Sequence, residues 1–234
     1  MPHRIAHAKT YPFAILDHSF MVRHGKVTVL PSGDNHRAGR TPVIATGSNR
    51  SFEQLARKFG DDPDGVPTER ARLADFDVVY AAHITRYGSI PATLQHVAGM
   101  GVHLAVNWLT ERQLAAMHAT EGNYDFVLLE RITLETEAGP ALDEAHVYVA
   151  KNGPLMHEGA PIGSREAAAE GRPHAAMDQH EAQAHVHARL GEGIAPDDFV
   201  LQNIEDERLR RERTERLGDP AASFAWRHWR AVDI

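Results

Sequence analysis

The chain has 234 residues, 42% of them hydrophobic, enough for one large domain, or one domain with extensions, that buries roughly 70% of its extended surface. Its 32 acidic against 25 basic residues give a net charge of -7, which argues against general nucleic-acid or anionic-membrane partners and favours small molecules or proteins. Cysteine is absent, which excludes disulfides, thiolate zinc sites and a cysteine nucleophile. No apolar run approaches the ~20 residues of a membrane span, and Arg4, His7 and Lys9 precede only a short apolar patch, unlike a signal peptide. A cytoplasmic location is the default expectation.

Residues 1–40 alternate apolar patches (13–16, 20–22, 27–30) with turn formers, and Gly25 suits a hairpin between two patches. This segment reads as an arm or hairpin on the main domain, with a polar loop over 32–40. A short buried strand over 43–45 then meets Gly47-Ser48-Asn49 and a helix for which Ser51 and Gln54 predict a capping box, with Phe52, Leu55 and Phe59 facing inward. Strand, glycine turn and helix start bring free backbone N–H groups around one concavity, a geometry that suits a carboxylate or an oxyanion. The same tripeptide is also what an ordinary turn looks like.

Residues 61–67 form a loop, 76–82 (FDVVYAA) a buried strand, and 89–94 a short strand that Pro91 confines to an edge or bulge. Between them Arg86, Tyr87 and Gly88 are placed to meet a carboxylate or simply to face water. Alternation through Val102, Leu104, Val106 and Trp108 predicts a further strand. A capping box of Thr110 and Gln113 starts the next helix, with Leu109 stapled to Leu114. Helical spacing puts Leu114, Met117, His118 and Glu121 on one inward stripe, with Gly122 where a helix stops and a strand after Tyr124. A glutamate on an inner face at the negative end of a helix has an unfavourable setting for its charge, which suits a general base. A frayed helix end beside a glycine cap, with Glu121 in water, is the competing account.

HVYVA at 146–150 is one more strand, and the compositions of 164–190 and 197–217 are helical. HEAQAHVH at 180–187 misses the zinc motif HExxH because His180 and His185 are i, i+5, so a solvated helix face is expected there. Metal binding by His185 and His187 is the alternative. The aromatics Phe224, Trp226 and Trp229 can dock on the main domain or on a second subunit.

Taken together, the Gly47-Ser48-Asn49 turn, the edge strand after Gly88, and Glu121-Gly122 followed by Tyr124 and a strand resemble, over residues 41–150, the gamma-glutamylcyclotransferase superfamily (gamma-glutamylcyclotransferase-like, AIG2-like). That resemblance implies an α+β fold, a mixed β-barrel of about five to seven strands with packed helices. The expected organisation is an N-terminal arm over 1–40, the family domain over 41–160 and a helical C-terminal extension over 161–234 that covers the pocket or pairs two copies. It implies an enzyme that cleaves a gamma-glutamyl amide or peptide by attack of the substrate's own α-amine, releasing 5-oxoproline and a free amine, with no metal or cofactor. Glu121 is the implied acid/base; Thr46, Gly47, Ser48, Asn49, Tyr87 and Tyr124 are the implied substrate contacts. Thr46 stands where the family has tyrosine, and Tyr80, Tyr87 or Tyr124 are candidates to replace that ring. A catalytically silent small-molecule binder of the same fold is the alternative that Thr46 raises.

Overall fold

The computed structural model describes residues 2–31, 35–219, 222 and 224–233; part of the expected loop over 32–40 lies outside them. Five strands close on themselves: β3 (Thr41–Ala45), β4 (Val66–Tyr80), β5 (Ala92–Leu109), β6 (Tyr124–Thr136) and β7 (Leu142–Ala150) pair in the ring β5-β3-β7-β6-β4-β5. Only β3 with β7 is parallel, so the barrel is mixed, and closure leaves no free edge within the ring. The fold is α+β, a five-stranded mixed barrel with helices packed on it.

The barrel interior is what the alternation selects. Ala71, Leu73, Phe76 and Val78 of β4 meet Leu94, Val102, Leu104 and Val106 of β5, with Ile44, Val127, Leu129 and Val147 completing the core. The inward set changes parity between Leu73 and Phe76, where the register shifts. There Asp75 takes φ 63 and its Oδ1 accepts from the Gly99 amide at 2.7 Å, with Gly99 at φ 79. The irregularity keeps apolar side chains inside on both halves. It also corrects two expectations. The strands expected over 89–94 and 102–108 are one strand, β5, with the irregularity between them. The first half of β4 was not legible because Glu69, Arg70 and Arg72 interrupt its apolar pattern. Glu69 is fully buried all the same, and its carboxylate accepts from His36 Nε2 and Arg37 Nη2, both at 2.6 Å.

Outside the ring, β1 (Phe20–Arg23) and β2 (Lys26–Val29) form a hairpin through His24-Gly25 that extends the sheet from β4. An unexpected helix, α1 (Pro2–Lys9), precedes it. Helix α2 (Phe52–Phe59) follows a single 3-10 turn, Ser48–Arg50. Its expected capping box is absent: the buried Ser51 hydroxyl has no partner among the described residues, and Gln54 accepts from Arg57 instead. Helix α3 (Glu111–His118) does carry the Thr110–Gln113 box.

At the C-terminal end, only Gln179–Leu190 (α4) of the helix expected over 164–190 is helical. Its preceding stretch is held extended against the barrel, where Arg172 makes a two-toothed contact with the buried Asp77 at 2.8 and 2.7 Å, and His174 adds a third at 2.9 Å. The stretch 197–217 is two helices, α5 (Pro196–Glu205) and α6 (Glu207–Leu217), broken at Asp206, whose carboxylate caps α6 through the Leu209 amide. Phe224 and Trp226 pack on Phe76 of the barrel, and the strand Trp229–Ala231 pairs with β6. Among the described residues no helix is long and apolar enough to cross a membrane.

Candidate active site

Strand β3 delivers its chain to the rim of the barrel at Ala45, and the 3-10 turn that follows spends two of its amides internally, Arg50 on Gly47 and Ser51 on Ser48. Asn107 of β5 donates its side-chain amide to the Asn49 carbonyl at 3.0 Å and so ties the turn to the barrel wall. Helix α3 ends at His118, and Glu121 sits in the tight turn between α3 and β6, its amide bonded to His118 and its carbonyl to Tyr124. It is therefore past the helix rather than on its stripe. Met117 of that stripe is buried, and Leu114 and His118 are half-buried.

The turn and the glutamate, 72 residues apart in sequence, meet. Asn49 Nδ2 donates to Glu121 Oε1 at 3.1 Å, and Lys58 Nζ of α2 bonds both Glu121 Oε1 at 2.9 Å and Asn49 Oδ1 at 2.8 Å. Lys58 and Glu121 side chains are each 13% exposed. The carboxylate expected to stand uncompensated thus has a cation and an amide beside it. These bonds, and a longer one from the Thr120 hydroxyl, all fall on Oε1. Among the described residues Oε2 has no hydrogen bond.

A cavity of about 500 Å³ opens in front of this cluster. It is lined by Thr46, Gly47, Ser48, Asn49, Tyr87, Glu121 and Tyr124, every one of the sequence-derived candidates. Thr46 is buried, and the Tyr124 hydroxyl donates to the Ala92 carbonyl at 3.1 Å. Burial and the nearby Glu121 charge raise the Tyr87 and Tyr124 phenols above their ordinary range, so both stay protonated donors. Tyr80 is elsewhere: its hydroxyl donates to Glu166 Oε2 at 3.1 Å, away from this cavity.

Four further residues line or build the site without having been legible. Lys58 lies on α2 with no motif to mark it. Tyr148 lines the cavity and bonds His118 Nδ1 at 2.7 Å. His83, 3% exposed and edge-on to Tyr124 at 5.3 Å, is pushed down to about 4 by burial and is neutral at pH 7. Tyr11 comes from the N-terminal segment. It is 4% exposed, its hydroxyl accepts the Ala92 amide at 2.8 Å, and it lies so close over Gly47 that a Cβ there would come within 1.9 Å of the phenol oxygen. The absence of a side chain at Gly47 is what lets this ring reach the turn.

Arg57, Lys58 and Arg86 line the mouth, with Glu121 the one acidic residue among the lining groups. In a chain of net charge -7 this cavity is locally cationic. Among the described residues no group of three or more His, Asp or Glu is placed to hold a metal ion. The His-rich helix α4 is not simply a solvated face: His187 Nε2 bonds the Ile194 carbonyl at 2.7 Å, and His185 packs on His157 with ring centroids 5.1 Å apart.

No family model and no curated protein matches the chain. Three solved structures share part of its arrangement. An Arabidopsis thaliana protein solved in solution is 18% identical over 51% of this chain and 74% of its own, with a TM-score of 0.40. A gamma-glutamyl cyclotransferase is 19% identical over 48% of this chain and 67% of its own, with a TM-score of 0.39. An uncharacterized Homo sapiens protein is 19% identical over 48% of this chain and 68% of its own, with a TM-score of 0.40. Likeness of this degree says nothing about activity. What the chain itself shows is a closed five-stranded mixed barrel with the glycine turn and the glutamate at one mouth.

Proposed function

We propose that the protein cleaves a gamma-glutamyl amide by intramolecular cyclisation, with Glu121 as general acid/base. The observation that carries this reading is the fixed Glu121 carboxylate, held on one oxygen by Asn49 and Lys58 over the Gly47-Ser48-Asn49 turn, with a cavity of about 500 Å³ in front of it. In this reading Oε2 takes a proton from the substrate's α-amine as the amine nitrogen bonds to the γ-carbonyl carbon. The tetrahedral adduct then collapses: the bond to the leaving nitrogen breaks, Glu121 returns the proton to it, and 5-oxoproline and a free amine result. Nucleophile and electrophile belong to one molecule, so the site's work is positioning and proton transfer. Gly47, Ser48 and Asn49 supply backbone donors, and Thr46, Tyr87 and Tyr124 bound the glutamyl group. The cationic rim of Arg57, Lys58 and Arg86 favours a substrate with a carboxylate.

The experiment is 5-oxoproline release from a panel of gamma-glutamyl amines and peptides. Wild type is expected to turn over at least one, and Glu121→Gln, which keeps size but loses the basic oxygen, is expected to fall by roughly 10²–10⁴-fold in kcat. A silent panel, or a Gln variant as active as wild type, would leave the second reading, a binding protein for a small carboxylate, which the substitution of the family tyrosine by Thr46 favours.

A further inference from the structure

We propose that Tyr11, supplied by the N-terminal segment outside the family-like region, is a catalytic residue of this site, its hydroxyl donating to the γ-carbonyl oxygen as negative charge develops there. This rests on the gamma-glutamyl reading of the cavity.

Tyr11 Oη accepts the Ala92 amide at 2.8 Å, and both residues line the cavity. That partner is an N–H donor, so it cannot take the Tyr11 proton. Among the described residues no hydrogen bond uses that O–H, although Tyr11 is 4% exposed and lines the cavity. A buried hydroxyl that receives an N–H donor and has a proton left over is polarised towards donating. Its place is set by the turn itself, since the ring lies within van der Waals contact of Gly47. The carbonyl of the same residue is held too, with Ala92 O accepting from the Tyr124 hydroxyl at 3.1 Å.

Burial, first of all, raises the Tyr11 phenol, so it keeps its proton and acts by hydrogen bonding rather than by proton transfer. In the reaction the α-amine nitrogen bonds to the carbonyl carbon and the carbonyl oxygen takes up the displaced electron pair. Tyr11 donates to that oxygen and keeps its proton throughout. When the adduct collapses the carbonyl re-forms, the amide bond breaks, and Glu121 protonates the leaving nitrogen. Tyr11 thus provides, from a distant part of the chain, an aromatic hydroxyl in a site whose signature position holds Thr46.

The test measures kcat and KM for 5-oxoproline release and the Kd of 5-oxoproline itself, in wild type and Tyr11→Phe. The proposal expects kcat to fall by roughly 10²-fold, as for loss of one oxyanion donor, with the Kd of 5-oxoproline changed by less than about threefold. If wild type neither turns over the panel nor binds 5-oxoproline, the gamma-glutamyl reading fails and this proposal fails with it. If wild type is active and Tyr11→Phe keeps kcat within about threefold, the role of Tyr11 alone is overturned. Equal loss of kcat and 5-oxoproline affinity also overturns it, since the ring would then only shape the turn. Should Tyr11→Phe not fold, 3-fluorotyrosine at position 11 keeps the bond from the Ala92 amide and changes the acidity of the O–H. A kcat that moves with fluorination supports donation, and an unchanged kcat refutes it.

Discussion

Replacing Gly47 by alanine tests the packing on which the site depends. A Cβ at this position would meet Tyr11 Oη at 1.9 Å, Tyr11 Cζ at 3.0 Å and the Ala92 Cβ at 3.4 Å. Tyr11 is 4% exposed and bonded to the Ala92 amide, so its ring cannot swing clear without loss. Displacing a packed ring costs about 1–3 kcal/mol. Stranding the Ala92 amide adds about 1–3 kcal/mol. The sum, about 2–6 kcal/mol, corresponds to a fall in Tm of roughly 4–24 °C for a chain of this size. Thermal unfolding followed by circular dichroism measures it. The decisive form is a double-mutant cycle: in Tyr11→Phe the atom at 1.9 Å is gone and only the ring carbon at 3.0 Å remains, so Gly47→Ala should be less damaging in that background by about 1–2 kcal/mol. Additivity within about 0.5 kcal/mol would refute the reasoning, because it would mean the two residues do not touch.

Three other outcomes are expected. Lys58→Met removes the cation from Glu121 Oε1 and should lower kcat for 5-oxoproline release by roughly tenfold or more while changing KM less, if the bond at 2.9 Å orients the base; equal kcat in the variant would remove that role. His83 is neutral in the folded protein down to about pH 4, whereas an unfolded histidine protonates near 6.5. Between those values the unfolded state binds more protons, so this contribution is complete above pH 6.5 and about 3 kcal/mol of stability is lost as pH falls towards 4. Denaturant melts from pH 7 to 4 should show a shallower decline for His83→Phe than for wild type, and parallel curves would argue against the assignment. Arg172→Leu leaves Asp77, 0% exposed, with only His174 beside it and should destabilise by about 3–5 kcal/mol. Arg208→Ala, in an exposed i, i+4 pair with Glu212, should cost under about 0.5 kcal/mol. The ratio of the two in urea melts is the check.

Local pattern made much of this protein legible. The alternation of Val102, Leu104 and Val106 is the core face of β5, the Thr110–Gln113 box starts α3, and Gly47-Ser48-Asn49 and Glu121 lie at one cavity. Each is a signal within a few residues, set by backbone hydrogen bonding or by one buried face. Elements whose stability comes from distant partners were not legible. The first half of β4 is rich in charge because Glu69 is neutralised by Arg37 and His36 from another part of the chain. The stretch before α4 has a helical composition and is extended, because Arg172 and His174 are drawn to Asp77 on the barrel. Ser51 and Gln54 match the spacing of a capping box, yet the Ser51 hydroxyl has no partner among the described residues and Gln54 accepts from Arg57.

The sequence by itself determined the apolar stretches of the barrel strands, the glycine turn and the glutamate, since these follow from periodicity, capping and residue type over short spans. Tertiary structure alone decided how Glu121 is held and what completes its surroundings. Lys58, His83, Tyr148 and Tyr11 arrive from α2, the loop after β4, β7 and the N-terminal segment, and no spacing along the chain encodes their meeting. Their positions depend on closure of the five-stranded ring, which brings strand ends that are far apart in sequence to one mouth.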